Sequence, residues 1–173
     1  IWGYDLASGK NEEIRIQLPS DRVQVRERFV DPMATLNSWG ISRDGERIVL
    51  EARGDLFVTR TKKKGLIRRV TEDSSVRTKF PSFSPDGKSL AAWTEVKGEE
   101  QLLLHSADNS AAPRQLGSLE PGWHFPPIWS PDGKKIAYLD NSQSIWVMEL
   151  ATGNCNKVGG NRIYTPVDVI FYS

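Results

Sequence analysis

Two histidines, His105 and His124, one cysteine, Cys155, and a recurring serine–aspartate pair are the residues whose chemistry stands out first. A serine nucleophile needs a histidine base and a carboxylate to orient it. Here no Gly-x-Ser-x-Gly elbow occurs, and the recurring serines open turn tetrapeptides instead. The histidines and the lone thiol lack the local spacing of a zinc site, and neither Asp86-Gly87 nor Asp132-Gly133 continues into a calcium loop. Gly159-Gly160 runs into Asn161-Arg162 rather than a phosphate-binding helix start. The sequence therefore assigns no catalytic, cofactor-binding or metal-binding residue and implies no cofactor. His105 is expected as a partly exposed strand-end residue, His124 as a packing residue of the loop Pro121 to Pro127, and Cys155 as a structural or surface thiol.

The serine–aspartate pairs belong to a repeat. Ser42-Arg43-Asp44-Gly45, Ser84-Pro85-Asp86-Gly87 and Ser130-Pro131-Asp132-Gly133 start 42 and then 46 residues apart. Proline presets φ at the second turn position, aspartate bonds nearby amides, and glycine accepts positive φ, so each tetrapeptide closes a hairpin. The structural repeat turns are thus Ser42, Asp44, Gly45, Ser84, Pro85, Asp86, Gly87, Ser130, Pro131, Asp132 and Gly133. Symmetry spreads Asp44, Asp86 and Asp132 around a ring, so they are expected to hold turns rather than form a carboxylate cluster.

An apolar residue precedes each turn (Ile41, Phe83, Trp129), and a near-continuous apolar run follows: Ile48-Val49-Leu50, Leu90-Ala91-Ala92-Trp93 and Ile136-Ala137-Tyr138-Leu139. Runs of this kind suit strands covered on both faces. Third strands are expected at Leu56 to Val58, Leu102 to Leu104 and Ile145 to Met148, and fourth strands around Leu66 to Val70, Arg114 to Leu116 and Asn156 to Val158. Four-stranded units at this period are propeller blades. Trp39, Trp93, Trp129 and Trp146 are expected to pack between blades.

Ile1 to Lys10 parallels Ile145 to Asn154, so the chain starts in the third strand of a blade, and Tyr172-Ser173 matches the start of another turn. The interval before Ser42 exceeds the later ones, with the surplus in a polar stretch between Leu18 and Leu36. The fold class is all-β, a partial β-propeller of four-stranded antiparallel blades, with about three complete blades and half-blade pieces at both ends. The expected divisions are 1–18, last strands of a preceding blade or propeller; 19–36, a linker; blades at 37–75, 76–119 and 120–160; and 161–173, the first strand of a further blade. Fifteen strands follow from this count.

Composition agrees with an ordinary globular protein: 38% hydrophobic, 26% charged and a formal net charge of +1, which points to neither nucleic acid nor an acidic partner. The basic cluster Arg60, Lys62, Lys63, Lys64, Arg68 and Arg69 is expected to be a solvated hairpin turn. No apolar stretch approaches membrane-spanning length, so a soluble chain, cytoplasmic or periplasmic, is expected.

The chain resembles the propeller region of tricorn-type proteases, most distinctively in Arg28-Phe29-Val30-Asp31-Pro32, in Leu50 to Phe57, and in Val70-Thr71 with Val76-Arg77. The Ser-Pro-Asp-Gly turns are also similar to TolB-like propellers. Gly98-Glu99-Glu100-Gln101 departs from the family's usual stretch at that place. The resemblance implies the linker between a six-bladed and a seven-bladed propeller over residues 1–36. It also implies a non-catalytic segment of a serine peptidase, acting as scaffold and guiding peptide substrates, with the remainder of the polypeptide as its partner. The alternative is a TolB-like protein-interaction propeller unconnected with proteolysis. Open blade edges further suggest that the isolated segment self-associates.

Overall fold

The computed structural model describes residues 2–15, 32–62, 65–73, 75–117 and 119–160. Residues 19–31 of the expected linker 19–36, and the expected first strand of a further blade at 161–173, lie outside these residues. The chain divides into two compact units, at Val30 and Asp31. The first contains the hairpin β1 (Trp2–Tyr4) and β2 (Asn11–Glu13), in the register Trp2 opposite Glu13. Its turn is held by Asp5, whose Oδ1 accepts from the amides of Ala7 at 2.7 Å and Ser8 at 2.9 Å.

The second unit opens with one turn of 3-10 helix, Pro32–Thr35, and continues as three four-stranded antiparallel sheets. The first contains β3 (Leu36–Ile41), β4 (Arg47–Ala52), β5 (Asp55–Arg60) and β6 (Arg68–Arg69). The second contains β7 (Thr78–Phe83), β8 (Ser89–Val96), β9 (Glu99–Ser106) and β10 (Arg114–Gln115). The third contains β11 (Ile128–Trp129), β12 (Lys135–Leu139), β13 (Ser144–Glu149) and β14 (Cys155–Gly160). Every sheet is a simple meander in chain order.

Two cores fill the seams. Val49, Leu56, Val58 and Val70 of the first sheet meet Phe83, Leu90 and Ala92 of the second. Ala91, Trp93, Leu102 and Leu116, from the opposite face of the second sheet, meet Ile136, Tyr138 and Met148 of the third. Alternation along β8 thus sends Leu90 and Ala92 into one core and Ala91 and Trp93 into the other, which is why its sequence reads as an unbroken apolar run.

The three Ser-Asp-Gly tetrapeptides close the β3–β4, β7–β8 and β11–β12 hairpins with one geometry. Each serine hydroxyl donates to the aspartate two residues on, at 2.5, 2.6 and 2.6 Å, and accepts from the amide five residues on at 2.9 Å. The same carboxylate oxygen accepts from the amide of Glu46, Lys88 or Lys134 at 2.9 to 3.0 Å. The glycines take φ of 69°, 68° and 70°, the left-handed conformation that completes the turn. The hydroxyls are the leading reason that the carboxyls of Asp44, Asp86 and Asp132 are held below their ordinary range.

Two expectations are corrected. Trp39 is 64% exposed rather than packed between sheets. On β3 the side facing the second sheet is taken by Ser38 and Gly40, and a Cβ on Gly40 would already lie 3.1 Å from the Pro81 carbonyl oxygen. Alternation therefore turns Trp39 outward with Asn37 and Ile41. His105 is 4% exposed, because it stands within β9 opposite Leu90 rather than beyond the strand end.

Candidate binding face and the buried charge cluster beside it

The first strands of the three sheets lie side by side. Trp129 of β11 donates its indole N–H to the carbonyl of Ser82 on β7 at 3.0 Å, and β3 reaches β7 through the Gly40–Pro81 approach. Ile41, Ser82, Phe83 and Trp129 border an open cavity of about 470 Å³ along this row, lined also by Arg43, Pro85 and Pro131 of the turns. With Trp39 and Ile41 exposed, the face offers apolar and aromatic contact beside backbone polar groups of strands that are outermost in their sheets. Outermost strands can pair with extended chain through main-chain hydrogen bonds.

The turn residues gather at one end of the row. A Cβ on Gly87 would meet the Arg47 guanidinium at 2.5 Å and Ser42 at 3.8 Å, and one on Gly133 would meet the Pro85 ring at 3.6 Å. Each aspartate nonetheless stays on its own serine, so the three carboxylates form no joint site.

A buried charge cluster lies in the seam between the second and third sheets. The Lys79 ammonium is paired with Glu100 Oε1, and both side chains are almost wholly enclosed. Glu100 Oε2 accepts from the His124 backbone amide at 2.9 Å and lies 3.3 Å from His124 Nδ1. The imidazole stacks on Trp93 at 4.1 Å between centroids, and the ammonium sits 4.4 Å from the centre of the Trp123 ring. Trp93 in turn donates to the Phe125 carbonyl at 2.8 Å. Glu100 thus fixes the loop carrying Trp123, His124 and Phe125 against β7 and β8. Burial holds His124 below its ordinary pKa, opposed by Glu100.

The seam between the first two sheets uses the same device. Glu51, buried on β4, accepts from Ser38, from Asn37 at 3.3 Å and from the backbone amide of Phe80 at 3.0 Å. Phe80 takes φ of 54° where the β7–β8 register shifts between Lys79 and Ser82, and Glu51 satisfies the amide this bulge frees. Glu51 and Trp93 stand nine residues after their turn serines, and each reaches the first strand, or the loop before it, of the next sheet. Composition gave no sign of these carboxylates. Glu100 lies in Gly98-Glu99-Glu100-Gln101, the stretch that departs from the family's pattern.

What the cluster can do chemically is hold a loop. Cys155 lies 3.0 Å from the Tyr138 hydroxyl, and burial pushes its thiol pKa up, away from the reactive thiolate. Among the described residues no group of three or more His, Cys, Asp and Glu is placed to hold a metal ion. Among the same residues no helix is long and apolar enough to cross a membrane.

Meandering four-stranded antiparallel sheets, packed face to face with their first strands adjacent, define a β-propeller scaffold. The chain is 25% identical over 160 residues to the tricorn protease homolog of Saccharolobus solfataricus, covering 91% of this chain and 14% of that protein. In fold it matches the crystal structure of the tricorn protease with a TM-score of 0.67 at 17% identity, over 93% of this chain and 15% of that one. It matches TolB from Acinetobacter baumannii with a TM-score of 0.62 at 20% identity, over 94% of this chain and 38% of that one. No protein-family model matches. The chain is thus similar to tricorn-like and TolB-like β-propellers, as the sequence motifs implied, and it spans about one seventh of its curated relative's length.

Proposed function

We propose that this chain is a non-catalytic propeller segment of a tricorn-like peptidase, and that the face formed by β3, β7 and β11 guides extended peptides. The observation that carries the reading is the open cavity lined by Ile41 and Trp129, with Trp39 exposed two residues before Ile41 on the same side of β3. Similarity to the tricorn protease homolog supplies the peptidase context. In this reading 37–75, 76–119 and 120–160 are successive blades, and residues 1–36 join them to a preceding one.

The test is fluorescence anisotropy of labelled, unstructured ten-residue peptides of varied sequence titrated with the full chain. Weak saturable binding is expected, reduced roughly threefold to tenfold by Trp39→Ala because one aromatic contact is lost. Absence of binding, or binding indifferent to Trp39, refutes the passage. An interaction propeller of the TolB-like kind would instead bind a folded protein and ignore the peptides.

A further inference from the structure

A second cavity, of about 280 Å³, shares no lining residue with the peptide face. The loop before β11 supplies His124 to it, and β12, β13 and the turn between them supply Tyr138, Trp146 and Asp140. Tyr138 and Trp146 are register partners, so their rings rise from one face of the third sheet. A backbone bridge pairs His124 with Asp140, and the Asp140 charge acts on both the His124 and the Tyr138 rings.

His124 is 4% exposed, and its two ring nitrogens differ. Nδ1 faces the Glu100 carboxylate at 3.3 Å and so carries the proton of the neutral ring that burial favours, which leaves Nε2 as an acceptor. Nε2 has no hydrogen-bond partner among the described residues. Among the same residues, the side-chain atoms that are both unpartnered and fully enclosed are the two His105 nitrogens alone. The surface left to His124 Nε2 therefore opens on the cavity that His124 lines.

The indole, phenol and thiol of the lining are already occupied. Trp146 Nε1 donates to Asp140 Oδ2 at 2.8 Å, and the Tyr138 hydroxyl meets the Cys155 thiol at 3.0 Å. Asp140 Oδ1 is filled by Ser142 and Ser144, whereas Oδ2 takes only the indole and keeps a lone pair. The Asp140 carboxylate enters no ion pair among the described residues, and neither lysine nor arginine lines the cavity.

What stays open is one neutral nitrogen acceptor and one unpaired carboxylate, beside two aromatic rings. Such a set calls for a planar cation with several N–H donors, since an ammonium is a strongly hydrated point charge with no face to lay on a ring. We propose that the cavity binds a guanidinium group, which donates to His124 Nε2 and Asp140 Oδ2 and lies against Tyr138 and Trp146.

The experiment titrates the full chain, its two histidines labelled with nitrogen-15, with chloride salts of ethylguanidinium and propylammonium and with neutral ethylurea, at constant ionic strength. Ethylguanidinium is expected to shift His124 Nε2 saturably and to leave the enclosed His105 nitrogens unmoved. Propylammonium, lacking the planar donors, and ethylurea, lacking the charge, are each expected to bind at least about fivefold more weakly. Gly122, also on the lining, has no positive φ, and a Cβ on it would meet only Asn141 Oδ1, at 3.6 Å. Gly122→Leu is therefore expected to fill the cavity, melt like the wild type and abolish the saturable shift. Should that variant fail to melt cooperatively, the three-probe series decides alone. Acetylarginine methylamide binding at least as tightly as ethylguanidinium assigns the group to an arginine residue of a peptide, and weaker binding assigns it to a free guanidino compound. The inference is overturned if ethylguanidinium gives no saturable shift at His124, if the three probes bind alike, or if a folded Gly122→Leu binds undiminished. None of these results bears on the peptide face, which is read through Trp39.

Discussion

Gly117 and Gly153 pass each other at the edge of the seam between the second and third sheets with no room for a side chain on Gly117. A Cβ there would stand 2.6 Å from the Gly153 carbonyl oxygen, and one on Gly153 would stand 3.2 Å from the Gly117 amide nitrogen. Both residues take positive φ, 62° and 73°, so conformation and space demand glycine together. Gly117→Ala is expected to cost more than about 2 kcal/mol in urea unfolding, from backbone strain plus displacement of the β13–β14 turn. Gly98 has φ of 86° and nothing within 4 Å, so Gly98→Ala carries only the conformational penalty, about 1 to 2 kcal/mol. Equal costs at the two positions would contradict the close approach.

Lys79 and Glu100 depend on each other because both are removed from water. Lys79→Met leaves the carboxylate with the His124 contacts alone, and Glu100→Gln leaves the buried ammonium without a counter-charge. Each single change is expected to cost about 3 to 5 kcal/mol, and the double change clearly less than their sum. Additive costs in the urea-unfolding cycle would show that the pair is not coupled.

His105 gives stability a pH dependence of known sign. Its pKa falls from 6.5 to about 4 in the folded protein because burial penalises the charged ring. Below pH 6.5 the unfolded chain therefore binds the extra proton. The stability associated with the neutral ring is complete above 6.5 and declines as the pH falls toward 4, by about 3 kcal/mol in all. Desolvation lowers the His124 pKa too, so wild type must be compared with His105→Phe, whose curve is expected to be flatter between pH 6.5 and 4. Parallel curves would exclude His105 as a source of the slope.

The three turn serines should behave as equivalents. Ser42→Ala, Ser84→Ala and Ser130→Ala each remove one donor to aspartate and one acceptor for a strand amide, at distances that agree within 0.1 Å. Each is expected to lower stability by about 1 to 2 kcal/mol, and the triple change to lower it by nearly the sum, since the turns share no hydrogen bond. Thermal melts of the four variants check this.

What was legible in the sequence was local. Turn, hairpin and blade order follow from residues within a few positions of one another, so Ser84 to Gly87 could be read with its partners already in view. The both-faces-covered reading of Leu90 to Trp93 succeeded because the pattern of a single strand contains it. Glu100 and Glu51 were opaque because their partners come from other strands, 21 to 29 residues away in Lys79, His124 and Phe80. Trp39 misled for the same reason: its hydrophobicity is visible in the sequence, but the Pro81 carbonyl that crowds the inner side of β3 is not. The apolar triplet Leu102 to Leu104 suggests a strand end at His105, while β9 continues to Ser106 with His105 opposite Leu90.

Every partner of a turn serine's side chain is found within the next five residues of the chain. A stretch of DNA encoding one such unit can therefore be copied in tandem without any compensating change elsewhere, since the duplicate arrives with its own fastening. The seams are where duplicates must diverge, as a carboxylate at position 51 and an indole at position 93 already have. Lengthening the array is chemically simple for this architecture, and individuality accumulates at the joints.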